Sequence, residues 1–138
     1  MIVVDTNVIS EPTKQSGSEK VKQWLNNQSP ESLYFTSISF GEVLAGLATL
    51  PVGKRQRELS ASSSKLIEAC FGQRILPYDR EAAEFYAQIF VKSRAAGKPI
   101  GLVDAQIAAI AMSRGFAVAT RDTLPFVTAG LEVINPWH

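Results

Sequence analysis

The chain opens with Met1-Ile2-Val3-Val4-Asp5-Thr6-Asn7, in which a short β-branched run ends at an aspartate. Runs of this kind are typical of buried strands. Similar runs recur at residues 33–35, 74–76, 117–119 and 132–134. Between them, amphipathic patterns predict helices over residues 18–26, 39–50, 53–71, 80–96 and 102–113. Strands that alternate with helices predict an α/β fold with a central, mostly parallel, five-stranded sheet flanked by helices on both faces.

Length and composition favour a single globular domain. Of the 138 residues, 46% are hydrophobic and 20% are charged, which excludes global disorder. No linker or repeat interrupts the pattern, so we expect residues 1–138 to form one domain. No stretch approaches the roughly 20 apolar residues of a membrane span. Met1 leads into the first strand without a basic segment, and we therefore expect a cytoplasmic protein without a secretory signal or membrane contact.

The rare residues exclude several kinds of catalytic chemistry. Cys70 is the only cysteine, and its apolar neighbours favour a small buried residue over a nucleophile. The only histidine, His138, is the last residue, so a Ser-His-Asp triad has no credible base. Zinc sites built from Cys and His lack ligands for the same reason. Catalysis by this chain must therefore use carboxylates, hydroxyls and basic side chains.

Four acidic residues fall where an α/β sheet places its ligands. Asp5 directly follows the first strand, and Asp122 follows the strand at 117–119. Glu42 and Asp104 lie in the first turns of two predicted helices. The carboxyl ends of parallel strands and the amino ends of their crossover helices share one edge of the sheet, where open α/β sheets bind ligands. We therefore expect these four carboxylates to share one cavity.

Each acidic residue also has a structural interpretation. Asp5 could cap a short helix over residues 6–10, and Asp122 could cap a turn. Ser39-Phe40-Gly41-Glu42 has the pattern of a capping box, and Asp104 could complement the dipole of its helix. Asp104, however, borders the apolar stripe of that helix. An ionised carboxylate there costs free energy unless a partner or a metal compensates it.

Four neighbouring carboxylates need positive charge between them, because mutual repulsion otherwise raises their pKa values. Arg121 is the obvious basic candidate, but an all-oxygen site without His or Cys is typical of Mg²⁺ or Mn²⁺. Such a cation suits phosphodiester hydrolysis, which can proceed without a protein nucleophile. Polar neighbours could orient ligands or water, although ordinary turn chemistry explains them equally well. These neighbours are Thr6, Asn7, Thr120 and Thr123, and Arg121 is a further candidate for the same role.

These motifs resemble those of the PIN-domain ribonucleases, specifically the VapC-type toxins of bacterial toxin–antitoxin modules. Asp5-Thr6-Asn7-Val8-Ile9-Ser10-Glu11 is similar to their opening motif, and Glu42 stands where their second acidic residue belongs. Asp104-Ala105-Gln106-Ile107-Ala108-Ala109 resembles the third motif, and Ala119-Thr120-Arg121-Asp122 the fourth. The closing Asn135-Pro136-Trp137-His138 is similar to the FitB branch of this family. The likeness spans essentially the whole chain.

The resemblance implies a sheet in the order 3-2-1-4-5, a homodimer, and Mg²⁺- or Mn²⁺-dependent RNA cleavage. The catalytic and metal-binding residues would be Asp5, Glu42, Asp104 and Asp122. It also implies a cognate FitA-like ribbon-helix-helix antitoxin that inserts a basic side chain among these carboxylates. The toxin–antitoxin complex would bind its operator DNA. Many relatives carry a further Asp where this chain has Pro125, so the fourth acidic role falls to Asp122.

Two other functions remain open. A catalytically silent PIN subunit would use its carboxylates only to bind a basic segment of an antitoxin, and would act in operator binding and autoregulation. An aspartate-nucleophile phosphatase would use Asp5, although Asn7 stands where those enzymes carry a second aspartate. The retention of all four carboxylates favours the ribonuclease.

Overall fold

Five strands and seven helices alternate along residues 1–138, all of which the computed structural model describes. The strands are β1 (Ile2–Val4), β2 (Leu33–Thr36), β3 (Ile75–Leu76), β4 (Ala117–Ala119) and β5 (Val133–Ile134). The helices are α1 (Thr6–Ser10), α2 (Glu19–Asn26), α3 (Ser37–Ala48), α4 (Lys54–Phe71), α5 (Arg80–Ala95), α6 (Leu102–Arg114) and α7 (Leu124–Ala129). No helix combines the length and the apolar character that crossing a membrane requires.

The sheet is parallel throughout, in the order β3-β2-β1-β4-β5. Val3 at the centre lies opposite Tyr34 of β2 and Val118 of β4. The predicted α/β class and the strand order implied by the resemblance are both confirmed. Because β1 and β4 are neighbours, Asp5 and Thr120 leave the sheet side by side at its carboxyl edge. The Asp5 amide donates to the Ala119 carbonyl at 2.9 Å.

Apolar side chains fill both faces of this sheet. Val3 and Val4 are completely buried but belong to two different clusters, because successive strand residues point to opposite faces. The first cluster includes Val118, Phe126 and most of α6, and the second includes Phe35, Phe71 and Val8. Helix α6 is buried from Ile107 to Ala111, and this fixes the position of its amino end at the carboxyl edge of the sheet.

The start of α3 differs from the prediction. The helix begins at Ser37, and the Thr36 hydroxyl caps it by accepting a hydrogen bond from the Ser39 amide at 3.0 Å. The predicted Ser39–Glu42 capping box is therefore wrong, and Glu42 lies in the second turn instead of the first. The reason is that extended Thr36, the last residue of β2, places its own hydroxyl over the first turn.

Two further interpretations are corrected. Cys70, expected in the core, is exposed, because Ile67 and Phe71 occupy the buried stripe of α4. Asp122 does not cap a turn. The residue at the start of α7 is Thr123, and the Asp122 amide donates to the Thr120 hydroxyl at 3.2 Å.

Candidate active site

Asp5 is the most constrained of the candidate residues. Its Oδ1 accepts a hydrogen bond from the Thr6 amide at 2.8 Å, and its Oδ2 accepts one from the Thr120 hydroxyl at 2.9 Å. Only 9% of the residue is exposed. Asp5 therefore caps α1, as the structural interpretation expected, and also presents a carboxylate at the edge of the sheet.

Thr120 connects the two segments that meet at this edge. Its fully buried hydroxyl donates to Asp5 and accepts from the Asn7 side-chain amide at 3.4 Å and from the Asp122 amide at 3.2 Å. The Asn7 Oδ1 accepts a hydrogen bond from the Arg121 amide at 3.3 Å. These bonds join α1 to the loop after β4 and hold the Asp5 carboxylate in one orientation.

The other three carboxylates are less constrained. Glu42 on α3 and Asp122 after β4 are exposed, and Asp104 in the first turn of α6 is half-buried. None of these three side chains makes a hydrogen bond or an ion pair within the chain. With Asp5 they form what we call the acidic cluster. The side chains of Glu42, Asp104 and Asp122 are therefore free to take part in binding.

The members of the acidic cluster act on one another electrostatically. Burial raises the pKa of Asp5, Glu42 and Asp104. Nearby negative charge raises these pKa values further: Asp5 acts on both Glu42 and Asp104, and Asp122 acts on Asp5 and Asp104. Hydrogen bonds from Thr120 and Thr6 partly oppose the rise at Asp5. Asp5, Glu42 and Asp104 thus lie within reach of one another's charge, and Asp122 lies within reach of Asp5 and Asp104.

Arg121 does not compensate this charge in the expected way. Its guanidinium lies over the Trp137 ring, 5.1 Å from the centroid, and forms no ion pair with any carboxylate. Thr6 contacts Asp5 through its amide, and its buried hydroxyl has no hydrogen-bond partner within the chain. The acidic cluster therefore has no cation of its own.

The donor set of the acidic cluster fits a hard divalent cation, because carboxylate and hydroxyl oxygens are what Mg²⁺ and Mn²⁺ bind. No three acidic, histidine or cysteine side chains stand in the arrangement of a formed metal site. The cluster also lies outside two cavities of about 420 and 370 Å³, which other residues line. Side-chain rotation at Glu42, Asp104 and Asp122 would be needed to bring three ligands onto one ion.

Glu11 was part of the quoted opening motif but received no role from the sequence. It is 6% exposed and accepts a hydrogen bond from the Ser18 amide at 2.9 Å, with the Lys14 ammonium 3.2 Å away. The Ser18 bond is the main cause of a lowered Glu11 pKa. Glu11 thereby closes the loop between α1 and α2. Its spacing from Val8, three residues earlier on the buried face of α1, was the available signal.

Asp104→Asn is expected to raise the free energy of unfolding at neutral pH in the presence of a chelator. Burial and the charges of Asp5 and Asp122 raise the folded-state pKa of Asp104 above its unfolded value. Stability due to this group is therefore full below the unfolded-state pKa and is lost as pH rises through the folded-state pKa. Urea unfolding across this pH range measures the difference, with exposed Glu132→Gln as the control. A difference in unfolding free energy between wild type and Asp104→Asn that stays the same at every pH would contradict this expectation.

The chain is similar to known proteins in both sequence and structure. The family profile of the PIN domain matches residues 2–129. Plasmid stability protein StbB of Pseudomonas syringae pv. tomato is 48% identical, and VapC ribonuclease Y4jK of Sinorhizobium fredii is 43% identical. Toxin FitB of Neisseria gonorrhoeae is 41% identical. Each alignment covers 100% of this chain and 99% of the relative. A solved structure of FitAB bound to an IR36 DNA fragment superposes with a TM-score of 0.94, covering 100% of this chain and 96% of the matched one.

Proposed function

Since the chain belongs to the PIN-domain family of VapC and FitB toxins, we propose that it is a metal-dependent endoribonuclease and the toxin of a type II toxin–antitoxin pair. The observation that carries the proposal is the acidic cluster. Burial and neighbouring negative charge raise the pKa values of Asp5, Glu42 and Asp104, and none of the four carboxylates has a cationic partner within the chain. The ribonuclease relative Y4jK supports the reaction, and the donor set supports the need for a divalent cation.

In the proposed site, Asp5, Glu42, Asp104 and Asp122 would hold Mg²⁺ or Mn²⁺. Such a cation supplies positive charge that makes water a better nucleophile and offsets the charge of the phosphodiester. Asp5 is the fixed ligand, because Thr6 and Thr120 set its orientation. In this hydrolysis a water oxygen would attack phosphorus in line as the bond to the leaving ribose oxygen breaks, and the proton that the water loses would reach the leaving oxygen through solvent. No protein nucleophile is required, in agreement with the residues that this chain lacks.

The second part of the proposal concerns partners. The solved FitAB–DNA complex supports a FitA-like ribbon-helix-helix antitoxin and binding of the toxin–antitoxin complex to operator DNA. Exposed apolar side chains on α3, α5 and α6 support contact with an antitoxin or with a second copy in a homodimer. They include Leu44 (42% exposed), Phe90 (44%), Val91 (66%) and Leu102 (60%).

The phosphatase alternative receives less support. Asn7 is engaged on both sides, since its amide nitrogen donates to Thr120 and its oxygen accepts from the Arg121 amide. It cannot supply the acid–base carboxylate that an aspartate nucleophile needs. The silent-subunit alternative differs from our proposal only in activity, and the next experiment separates the two.

The purified chain is expected to cleave RNA when Mg²⁺ or Mn²⁺ is present, and cleavage is expected to stop when excess chelator is added. Because the folded cluster binds the ion and the unfolded chain does not hold it, the same ions should raise the thermal unfolding midpoint. The stabilisation should be about 2.7 kcal/mol at a hundredfold excess over Kd. Cleavage of a labelled RNA pool and thermal scans measure the two effects. A chain that neither binds Mn²⁺ nor cuts RNA, yet binds its antitoxin, would support the silent subunit instead.

A further inference from the structure

A basic and an aromatic side chain stand together next to the loop that carries Asp122, and neither has a role in the proposed hydrolysis. The Arg121 guanidinium carbon lies 5.1 Å from the centroid of the Trp137 ring. Arg121 is exposed and Trp137 is partly buried. A guanidinium placed over an indole ring at this distance is held by cation–π attraction. The stack therefore limits where the exposed cation can move.

Both members of the stack are anchored at the edge of the sheet that carries Asp5. Arg121 lies between Thr120 and Asp122, and its amide donates to the Asn7 side chain at 3.3 Å. Trp137 packs against the core cluster that contains Val4 and Val8, and its amide donates to Asn135 Oδ1 at 3.0 Å. The cation is thus placed relative to Asp5 by bonds and packing at both ends.

The hydrogen-bonding edge of the Arg121 guanidinium is unused. The guanidinium carries five N–H donors in a planar fork. These donors make no hydrogen bond within the chain, and no carboxylate forms an ion pair with them. The Arg121 charge is the smallest of the causes that act on the pKa of Glu11. The Glu11 carboxylate, moreover, already accepts a hydrogen bond from the Ser18 amide and pairs with Lys14. An oriented, unpaired guanidinium, carried by the residue between Thr120 and Asp122, has the donor pattern for an anion that the acidic cluster alone would repel.

We propose that Arg121, oriented by Trp137, binds a backbone phosphate of the RNA beside the acidic cluster. The inference rests on the proposed function, because it names the part of the substrate that this side chain holds. A planar guanidinium matches the oxygens of a phosphate bidentately, and such a contact positions the chain without reading its sequence. Arg121 is therefore a substrate-binding residue, and Trp137 is a positioning residue that acts through it.

The test measures RNA binding without cleavage, in full-length protein that carries Asp104→Asn. The probe is a short, fluorescein-labelled, single-stranded RNA of mixed sequence, titrated at several salt concentrations. Arg121→Gln should weaken binding roughly three- to tenfold for all sequences alike. It should also reduce the slope of log K against log salt by about 0.7, the value for one lost phosphate contact on a single strand. Trp137→Leu should weaken binding less and keep the slope, because the charge remains.

Arg114→Gln is the matched control, since Arg114 is an exposed arginine at the opposite end of α6 from Asp104. It should leave both the affinity and the slope unchanged. In protein with an intact cluster, Arg121→Gln should raise KM with little effect on kcat. If the intact chain cuts RNA but Arg121→Gln behaves like Arg114→Gln, the phosphate contact is wrong and the ribonuclease proposal stands. If the intact chain neither binds nor cuts RNA, both are wrong.

Discussion

Replacing Asp5 or Asp104 by asparagine is expected to abolish RNA cleavage, lowering kcat/KM by about two to three orders of magnitude or more. Each substitution removes one negative charge from the acidic cluster, and with it a ligand that the proposed cation needs. Asp104→Asn is the cleaner variant, because the Asp104 carboxylate makes no hydrogen bond that the amide would lose. Rates on a labelled RNA pool, with circular dichroism to check folding, measure the effect.

The two substitutions should differ in stability even though both lose activity. In Asp5→Asn an amide replaces the oxygen that accepts from Thr120, whose hydroxyl already accepts from Asn7 and the Asp122 amide. That variant should therefore unfold more readily than Asp104→Asn. Glu132→Gln removes an exposed carboxylate just before β5, at the opposite edge of the sheet, and should cut RNA at the wild-type rate. Wild-type cleavage by Asp104→Asn would refute the proposed site.

The position of the acidic cluster was predictable because it depends on topology alone. Asp5 and Asp122 each follow a strand, and Asp104 opens a helix that returns antiparallel to the strands. Three such placements define one edge of a parallel sheet whatever the details of the loops. The order of the strands, by contrast, came from the likeness to a family, since alternating strands and helices alone fit several orders.

Side-chain partners were not predictable from the same pattern. Arg121 was expected to face the carboxylates, but it stacks on Trp137, sixteen positions later in the chain. Nothing in the local sequence shows where the tail after β5 returns. The predicted start of α3 was wrong for a related reason. Thr36 is both the last residue of β2 and the residue that caps the helix. Helix α7 has only six residues, too few for a hydrophobic period to appear, and five-residue α1 was expected only as a helix that Asp5 would cap.

Thr120→Val is expected to lower the free energy of unfolding by about 1–3 kcal/mol at neutral pH and to reduce activity by about ten- to a hundredfold. Valine keeps the shape of threonine but removes the hydroxyl that donates to Asp5 Oδ2. A buried carboxylate oxygen is then left without a partner, and Asp5 loses the orientation that its proposed role requires. Urea unfolding and cleavage assays on the same protein measure the two effects.

The pH dependence of this loss identifies its cause. The Thr120 hydrogen bond lowers the pKa of Asp5 and so opposes the rise that burial produces. Without it the folded-state pKa of Asp5 rises further above the unfolded value, and ionised Asp5 becomes more costly to the fold. The stability difference between wild type and Thr120→Val should therefore be largest at neutral pH and shrink as Asp5 becomes protonated in acid. Thr123→Val, which removes a hydroxyl that makes no hydrogen bond, is the matched control and should show neither effect. A loss that is independent of pH would mean that Thr120 acts through packing and not through the Asp5 carboxylate.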